Sequence, residues 1–575
     1  MNETQRLHGL FEREWEAWMA RYPTWASSLG DRRFNDRWDD LRPEAIEAWN
    51  ARIEAVIREL DSFDSASLSA EDLLNRDLLR LHYANDAEEH RRGLHCLVLN
   101  QRHGPQTADE LGSYLRFETV KDFEDWIGRV RAVPAYLAQA QELLAEGVRR
   151  RIVHPRVIME RVPRQLDAQI VVNPTESPFF RPFNTLPECI AAEHRENLAS
   201  EARAAIETGI VPAFARFREF FVEEYLPGCF SEVGIWQMPD GNETYRFLVR
   251  EHTTRDLSPD EVHDIGLAEV ARIKAQMHEV MRQTGFTGSL GGFFAFLRTD
   301  PRFYYACPEE LLAGYRSLCK RIDPCLVKLF GVLPRMPYGV EPIPDTIAPD
   351  TTTAYYSRPA TDGSRAGTYY VNVYRPETRP RYEMVPLSLH EAVPGHHLQI
   401  SLAMEGNLPR FRRHLAYHAY TEGWALYAER LGEEMGLYED PYDRFGRLSF
   451  AMWRAARLVI DTGIHWKRWT RTQGISFLRD HTPKSELDIT NEVDRYIAWP
   501  GQALSYAIGE ITMRELRQQA EETLGSSFDL RAFHDTVLST GAVPLDALSR
   551  HVKRWMDGRD GGRADGLPES GNDTR

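Results

Sequence analysis

The sequence predicts a large, mainly α fold with a small β-hairpin or sheet packed beside one central helix. Three observations carry that expectation. Leucines recur at helical spacing among charges, as at Leu73, Leu74, Leu78, Leu79 and Leu81. One stretch, 340–375, is instead dense in β-branched and aromatic residues. The run from Ser388 to Gln399 then places three histidines and one acid within eight residues of an otherwise apolar, helix-like segment.

Taken in order, residues 4–62 read as two helices around a Pro/Ser/Asp-rich link near Tyr22–Arg42. Residues 68–95 form one long amphipathic helix and 119–151 another. Residues 171–190 read as an irregular, Pro-rich connection, and 190–224 and 258–285 as further helices. Asp256 or Ser258 can cap the last of these, with Pro259 in its first turn. Between 340 and 375, Thr351–Tyr356 and Thr368–Tyr374 are strand-like, with turn residues Asp362-Gly363-Ser364 and Gly367 between them. No repeat or low-complexity linker divides the chain. Residues 1–556 therefore read as one unit, a helical scaffold over 1–339 and the half carrying the histidine run over 340–556. Residues 557–575, rich in Gly, Asp, Arg and Ser without periodicity, read as a disordered tail.

The histidine run is close to H-E-x-x-H, the helical motif in which two histidines one turn apart hold zinc and the Glu is a general base. Five positions from His390 stands Pro394. With Val393-Pro394 treated as an insertion, His390-Glu391-Ala392-Gly395-His396 remains, and the pattern is restored. On a regular helix His390 and His396 differ by about 600° and point to different faces, while His390 and His397 share a face roughly 10 Å apart. Pro394 cannot donate to the carbonyl of residue 390, and Gly395 tolerates distortion. A break or bulge that swings His396 back beside His390 is therefore expected, with His397 on another face as a supporting or substrate-facing group.

A third ligand is expected from Tyr420–Glu429. Glu422 is an acid in a segment of buried character, and buried carboxylates are normally paired or metal-bound. A solvated helix acid is the alternative. Two histidines and one Glu leave a fourth position for water, the arrangement of catalytic rather than structural zinc. Glu429 lies seven residues on, near the same face. In 451–469, Arg457, Asp461 and His465 form a polar line at i, i+4 and i+8. It reads either as a brace behind the metal ligands, with Asp461 and His465 as second-layer groups, or as a solvated stripe.

His390-Glu391-Ala392-Val393-Pro394-Gly395-His396-His397-Leu398-Gln399 followed by Thr421-Glu422-Gly423-Trp424-Ala425-Leu426-Tyr427-Ala428-Glu429 resembles the bacterial DUF885 proteins, which look like gluzincin metallopeptidases. Weaker similarity extends from Trp25–Asp31 and Leu99–Gln106 to Gly367–Asn372 and Pro500–Tyr506. The resemblance implies a large helical metallopeptidase-like fold with a central cleft. It also implies a single Zn²⁺ on His390, His396 and Glu422, with Glu391 as general base. By the same resemblance Tyr369, Tyr370 and Asn372 line the cleft wall, where a peptide can add to a sheet edge. An ordinary strand is the alternative. Tyr506-Ala507-Ile508-Gly509 is similar to the late Tyr-x-x-Gly of related zinc carboxypeptidases and oligopeptidases. Tyr506, or in second place Tyr496, would then donate to the oxyanion. Arg495 and Gln502 fall among substrate-binding candidates, Arg495 for a carboxylate.

The net charge of −16 argues against a nucleic-acid partner. No run approaches a membrane span, and Met1–Arg6 opens no apolar leader. Six scattered cysteines without C-x-x-C fit a reducing compartment, so a cytoplasmic location is expected. The expected function is zinc-dependent cleavage of short peptides. Two alternatives stay open: an amidase or isopeptidase acting on a small metabolite, and a non-catalytic, metal-binding helical protein. Substrate identity, endo- or exo-action and oligomeric state stay open as well.

Overall fold

The computed structural model describes residues 2–344, 348, 352–360, 363 and 365–560. Asp362 and Ser364 of the predicted turn and residues 561–575 of the predicted tail lie outside them. The chain is mainly helical. We name the helices that the argument uses α1 (Glu3–Arg21), α2 (Pro43–Asp61), α3 (Ala70–Arg91), α4 (Val120–Arg150), α5 (Gly241–Thr253), α6 (Pro259–Gln283), α7 (Met384–Glu391), α8 (His396–Glu405), α9 (His418–Arg430), α10 (Pro441–His465), α11 (Glu486–Ala498), α12 (Ser505–Leu524) and α13 (Leu545–Asp560).

Local chemistry sets several of these boundaries. Ser258, not Asp256, caps α6: it accepts from the Glu261 amide while the Glu261 carboxylate reaches back, and Pro259 fills the first turn. The 190–224 region is less regular than its sequence suggests, widening into π turns at Ile206–Ile210 and Phe221–Tyr225. α13 runs to Asp560, so residues 557–560 continue a helix rather than begin a tail.

The 340–375 region contributes a three-stranded sheet rather than a bare hairpin. β1 (Tyr338–Pro342), β2 (Ala354–Ser357) and β3 (Gly367–Val371) lie in the order β1-β3-β2. β3 pairs parallel with β1 and antiparallel with β2. The two-residue period sends Tyr369 and Val371 inward, both fully buried, and Tyr370 outward against Tyr355.

Buried clusters join the first and second halves of the chain. One unites Tyr245, Phe247 and Leu311 with Leu389, Trp424 and Leu504. Another unites Trp126 and Phe214 with Ile460, Tyr496 and Ala503. α6 packs along α10, and α9 along α12. The second crossing is unusually close because glycines meet there: a Cβ on Gly423 would lie 2.5 Å from Gly509 Cα, and one on Gly509 would lie 1.9 Å from the Ala419 carbonyl oxygen. That approach sets Tyr506, at the start of α12, against the face of α9 that carries Glu422.

Candidate metal centre

The histidine run is one helix broken in the middle. α7 ends at Glu391, and α8 starts at His396 after a turn containing a cis Val393–Pro394 peptide. Pro394 has no amide hydrogen for the carbonyl of residue 390. The returning chain passes so near that carbonyl that a Cβ on Gly395 would sit 1.9 Å from its oxygen, so only glycine fits. The indole of Trp424 holds the turn from the side, donating to the Pro394 carbonyl at 2.8 Å. The result brings the His390 and His396 rings to 4.8 Å between centroids, at 86°.

Glu422 completes a triad. Its Oε2 lies 3.6 Å from Nε2 of His390 and 3.6 Å from Nε2 of His396. The three ligand atoms lie within 4.8 Å of one another, and among the described residues no other group of three such side chains converges in this way. Two imidazoles and a carboxylate form the donor set of an open divalent site. The side chains of Glu422 and His396 keep 18% and 13% of their surface exposed, so the site opens on one side. Glu391 is part-buried beside it.

Behind the triad, Glu429 Oε1 lies 2.9 Å from His390 Nδ1. That contact holds a proton on Nδ1 and orients the ring so that Nε2 is directed to the Glu422 side. Arg454 reaches Glu429 at 3.6 Å, and the Tyr438 hydroxyl donates to the Glu429 carbonyl at 2.7 Å. Burial opposes charge on His390, but Glu422, Glu429 and Glu391 outweigh it and push its pKa up to about 9. Burial likewise opposes charge on Glu422, and the two histidines outweigh it, holding the carboxyl well below the usual range. The field at this point favours positive charge.

Other predicted site residues fall elsewhere. His397 faces away from the triad, with Nδ1 2.9 Å from the Tyr356 hydroxyl and Nε2 2.9 Å from the Met336 carbonyl. It ties α8 to the sheet. Asp461 and His465 are fully buried and do not brace the His390, His396 and Glu422 triad. Asp461 accepts from the Tyr245 hydroxyl at 2.6 Å and from the Gly501 amide at 3.1 Å. His465 accepts from the Ile235 amide and lies 3.0 Å from the Tyr496 carbonyl. Together they fix the 499–501 turn, because α10 points this face at α5 and α11 rather than at α7. Tyr369 packs edge-on against Tyr315 inside the core, so it cannot line a cleft. Asn372 is buried too, donating to the Ala348 carbonyl at 2.8 Å. Tyr370 alone of the three is part-exposed.

Tyr496 and Arg495 are occupied. The Tyr496 hydroxyl donates to Glu492 at 2.9 Å and accepts from Trp453 at 3.1 Å and Arg457 at 3.2 Å, which fills its capacity. Arg495 lays its fork on Glu492, at 3.2 and 3.0 Å, and its remaining arm on Gln502 at 2.6 Å. The fork intended for a substrate carboxylate is thus already taken. Tyr506 is different. It is part-exposed, the Arg457 guanidinium stacks 4.3 Å from its ring centre, and burial and the Glu422 charge push its pKa up. It is a protonated phenol near enough to the triad to feel the Glu422 charge. Sequence reasoning missed Trp424 and Arg454 as supports. The first stands two residues after Glu422; the second carries no local signal.

The sequence matches the family described as "Bacterial protein of unknown function (DUF885)" over residues 23–552. A chain named as a putative lipoprotein from Colwellia psychrerythraea superposes with a TM-score of 0.93 at 30% identity, covering 97% of this chain and 100% of that one. A second, from Shewanella oneidensis and of unknown function, has a TM-score of 0.72 at 17% identity, covering 95% of this chain and 99% of that one, and shares the fold. No curated protein matches. With the family match spanning nearly the whole sequence and the broken-helix histidine site in place, the chain belongs to the DUF885 family.

Proposed function

We propose that the protein is a divalent-metal hydrolase, with zinc as the ion, that cleaves amide bonds in short peptides. The observation that carries this reading is the convergence of His390 Nε2, His396 Nε2 and Glu422 Oε2 on one partly open point, with Glu391 adjoining a ligand. The donor set fits Zn²⁺, and the Glu429 contact to His390 is the usual outer support of a zinc-binding imidazole. When bound, the ion polarises the scissile carbonyl and lowers the pKa of a water towards ~7. The chain's own groups do the rest. Glu391 accepts the proton of the attacking water and passes it to the leaving nitrogen. Tyr506 donates a hydrogen bond to the oxygen that gains charge. The gluzincin likeness and the cleft it implies belong to this reading. So does the cytoplasmic location, which six free cysteines support. The lipoprotein names of the related structures favour an envelope location instead, and cell fractionation decides between them. No helix among the described residues is long and apolar enough to cross a membrane.

The test is Glu391→Gln, which preserves shape and ligands but removes the proton acceptor. Hydrolysis of a cleaved peptide, found by screening a dipeptide and tripeptide library, should fall about 10²–10⁴-fold with zinc content unchanged. Wild-type turnover in that variant rules out the proposed mechanism.

A further inference from the structure

A second cavity, of 670 Å³, lies between the N-terminal helices and the body of the protein. Its size is that of a small-molecule site. Trp18, Tyr22, Trp25 and Trp49 form part of its wall, with Trp18 and Trp25 6.2 Å apart and Tyr22 and Trp49 5.8 Å apart. Asp86 and Glu89 on α3 and Glu251 on α5 also face it. Among the described residues none of these carboxylates meets a lysine or arginine: Glu89 makes no hydrogen bond or ion pair, and Asp86 meets the His82 imidazole at 3.7 Å. Glu251 Oε2 is closed off from bulk solvent without a hydrogen bond, as are Trp49 Nε1 and Asn50 Oδ1 on the same wall. Among the described residues that line the cavity the one arginine is Arg21, whose Nη1 donates to the Asp40 carbonyl and whose Nε is closed off without a partner.

The three acids are part-buried, and a carboxylate oxygen closed off without a partner, as at Glu251, is costly unless a ligand or ion completes it. Burial pushes Glu251 up to about 8 and Glu89 up to about 7, each reinforced by its acidic neighbours. A cation entering the cavity would relieve this. A metal ion does not fit, because among the described residues only His390, His396 and Glu422 bring ligand atoms together closely enough. Aromatic walls around dispersed carboxylates instead suit an organic cation on an aliphatic stem, held by charge and by the ring faces.

We infer that this cavity binds an alkylammonium or guanidinium group, and that it receives the cationic end of the substrate. The cavity reaches His418, one turn before Glu422 on α9, so one extended molecule can occupy both places. Only the second clause rests on the hydrolase reading; cation binding does not.

The probes are n-butylguanidinium and its neutral isostere n-butylurea, titrated calorimetrically into the full-length protein at pH 8. The cation should bind at least tenfold tighter than the urea. Glu251→Gln and Asp86→Asn, each checked for wild-type circular dichroism, should each weaken it at least tenfold, and Glu391→Gln should leave it unchanged. Equal affinity for cation and urea, no binding of either, or undiminished binding in both acid variants overturns the inference. If one acid variant fails to fold, the other and the cation–urea comparison on wild-type protein still decide. Cation binding without cleavage of any peptide, including those with terminal Arg or Lys, would leave the cation site standing and count against the hydrolase and substrate assignments alone.

Discussion

Two buried polar networks flank Tyr506, and they differ in what they leave open. On one side, Glu492 is held by Arg457, Arg495 and Tyr496, and Arg495 also holds Gln502. The two guanidiniums keep Glu492 far below the usual carboxylate range despite its burial. Nearly every strong donor there meets an acceptor of the chain itself. On the other side, His390, His396 and Glu422 aim three ligand atoms at one point. The first network is a closed structural knot; the second gathers three ligand atoms within 4.8 Å of one another. Both networks are largely buried and both hold a glutamate, so the distinction lies in whether that carboxylate is met by guanidinium and phenol donors or shares one point with two imidazole nitrogens.

The most direct way to break this comparison is to remove a member of each network. His390→Ala, His396→Ala and Glu422→Ala should each lose most of their zinc after dialysis, read by elemental analysis. His397→Ala should retain it, since its partners are Tyr356 and Met336. Zinc lost from His397→Ala but kept by His396→Ala would reverse the assignment of the two histidines.

A tyrosine pair sharpens the contrast. Tyr506→Phe should lower kcat by about 10²-fold at unchanged stability, the scale for losing one oxyanion donor. Tyr496→Phe should do the opposite. It removes the donor to Glu492 and the acceptor for Trp453, costing about 1–3 kcal/mol of stability with kcat little changed. Thermal melts and steady-state kinetics on both variants separate the two roles; equal kinetic defects would mean that both phenols reach the substrate.

A smaller effect is expected one layer out. Glu429→Gln leaves the triad intact but loses the carboxylate that orients His390. Zinc affinity should fall about 10–100-fold, measured by competition with a chelator. Unchanged affinity would make Glu429 merely a partner for Arg454.

These contrasts were legible in the sequence to unequal degrees. The broken helix was, because Pro394 and Gly395 have few conformational options and the histidine spacing makes sense only if the chain doubles back. Glu422 was visible as an acid in an apolar helix. Glu429 was placed near the right face by its seven-residue spacing, but its contact with Nδ1 depends on how α7 crosses α9. The polar line Arg457, Asp461 and His465 shows the limit. Periodicity placed these residues on one face of α10, yet the neighbour of that face is decided by tertiary packing. The same holds for Tyr369: alternation told that successive residues face opposite ways, not which way was inward. β1 escaped notice because a five-residue strand containing Gly339 and Pro342 has little strand signal of its own.

His465 provides the last and smallest test. It sits at the closed end of the comparison, where the 499–501 turn supports the start of α12. Its Nδ1 accepts from the Ile235 amide, so Nε2 must carry the single proton and donate to the Tyr496 carbonyl. A second proton on Nδ1 would face an N–H. Burial accordingly lowers the pKa to about 4, against roughly 6.5 in the unfolded chain. The sign follows from linkage: between these values the unfolded chain binds the proton and the folded one does not. Stability contributed by neutral His465 is thus complete above about pH 6.5 and declines as pH falls, levelling off near 4. His465→Gln, which can accept from Ile235 and donate to Tyr496 without titrating, should flatten this part of the stability profile. Urea melts of both proteins at pH 4.5, 5.5 and 7 measure it. A stability difference between them that stays constant over that range would show that His465 takes its proton in the fold as readily as outside it.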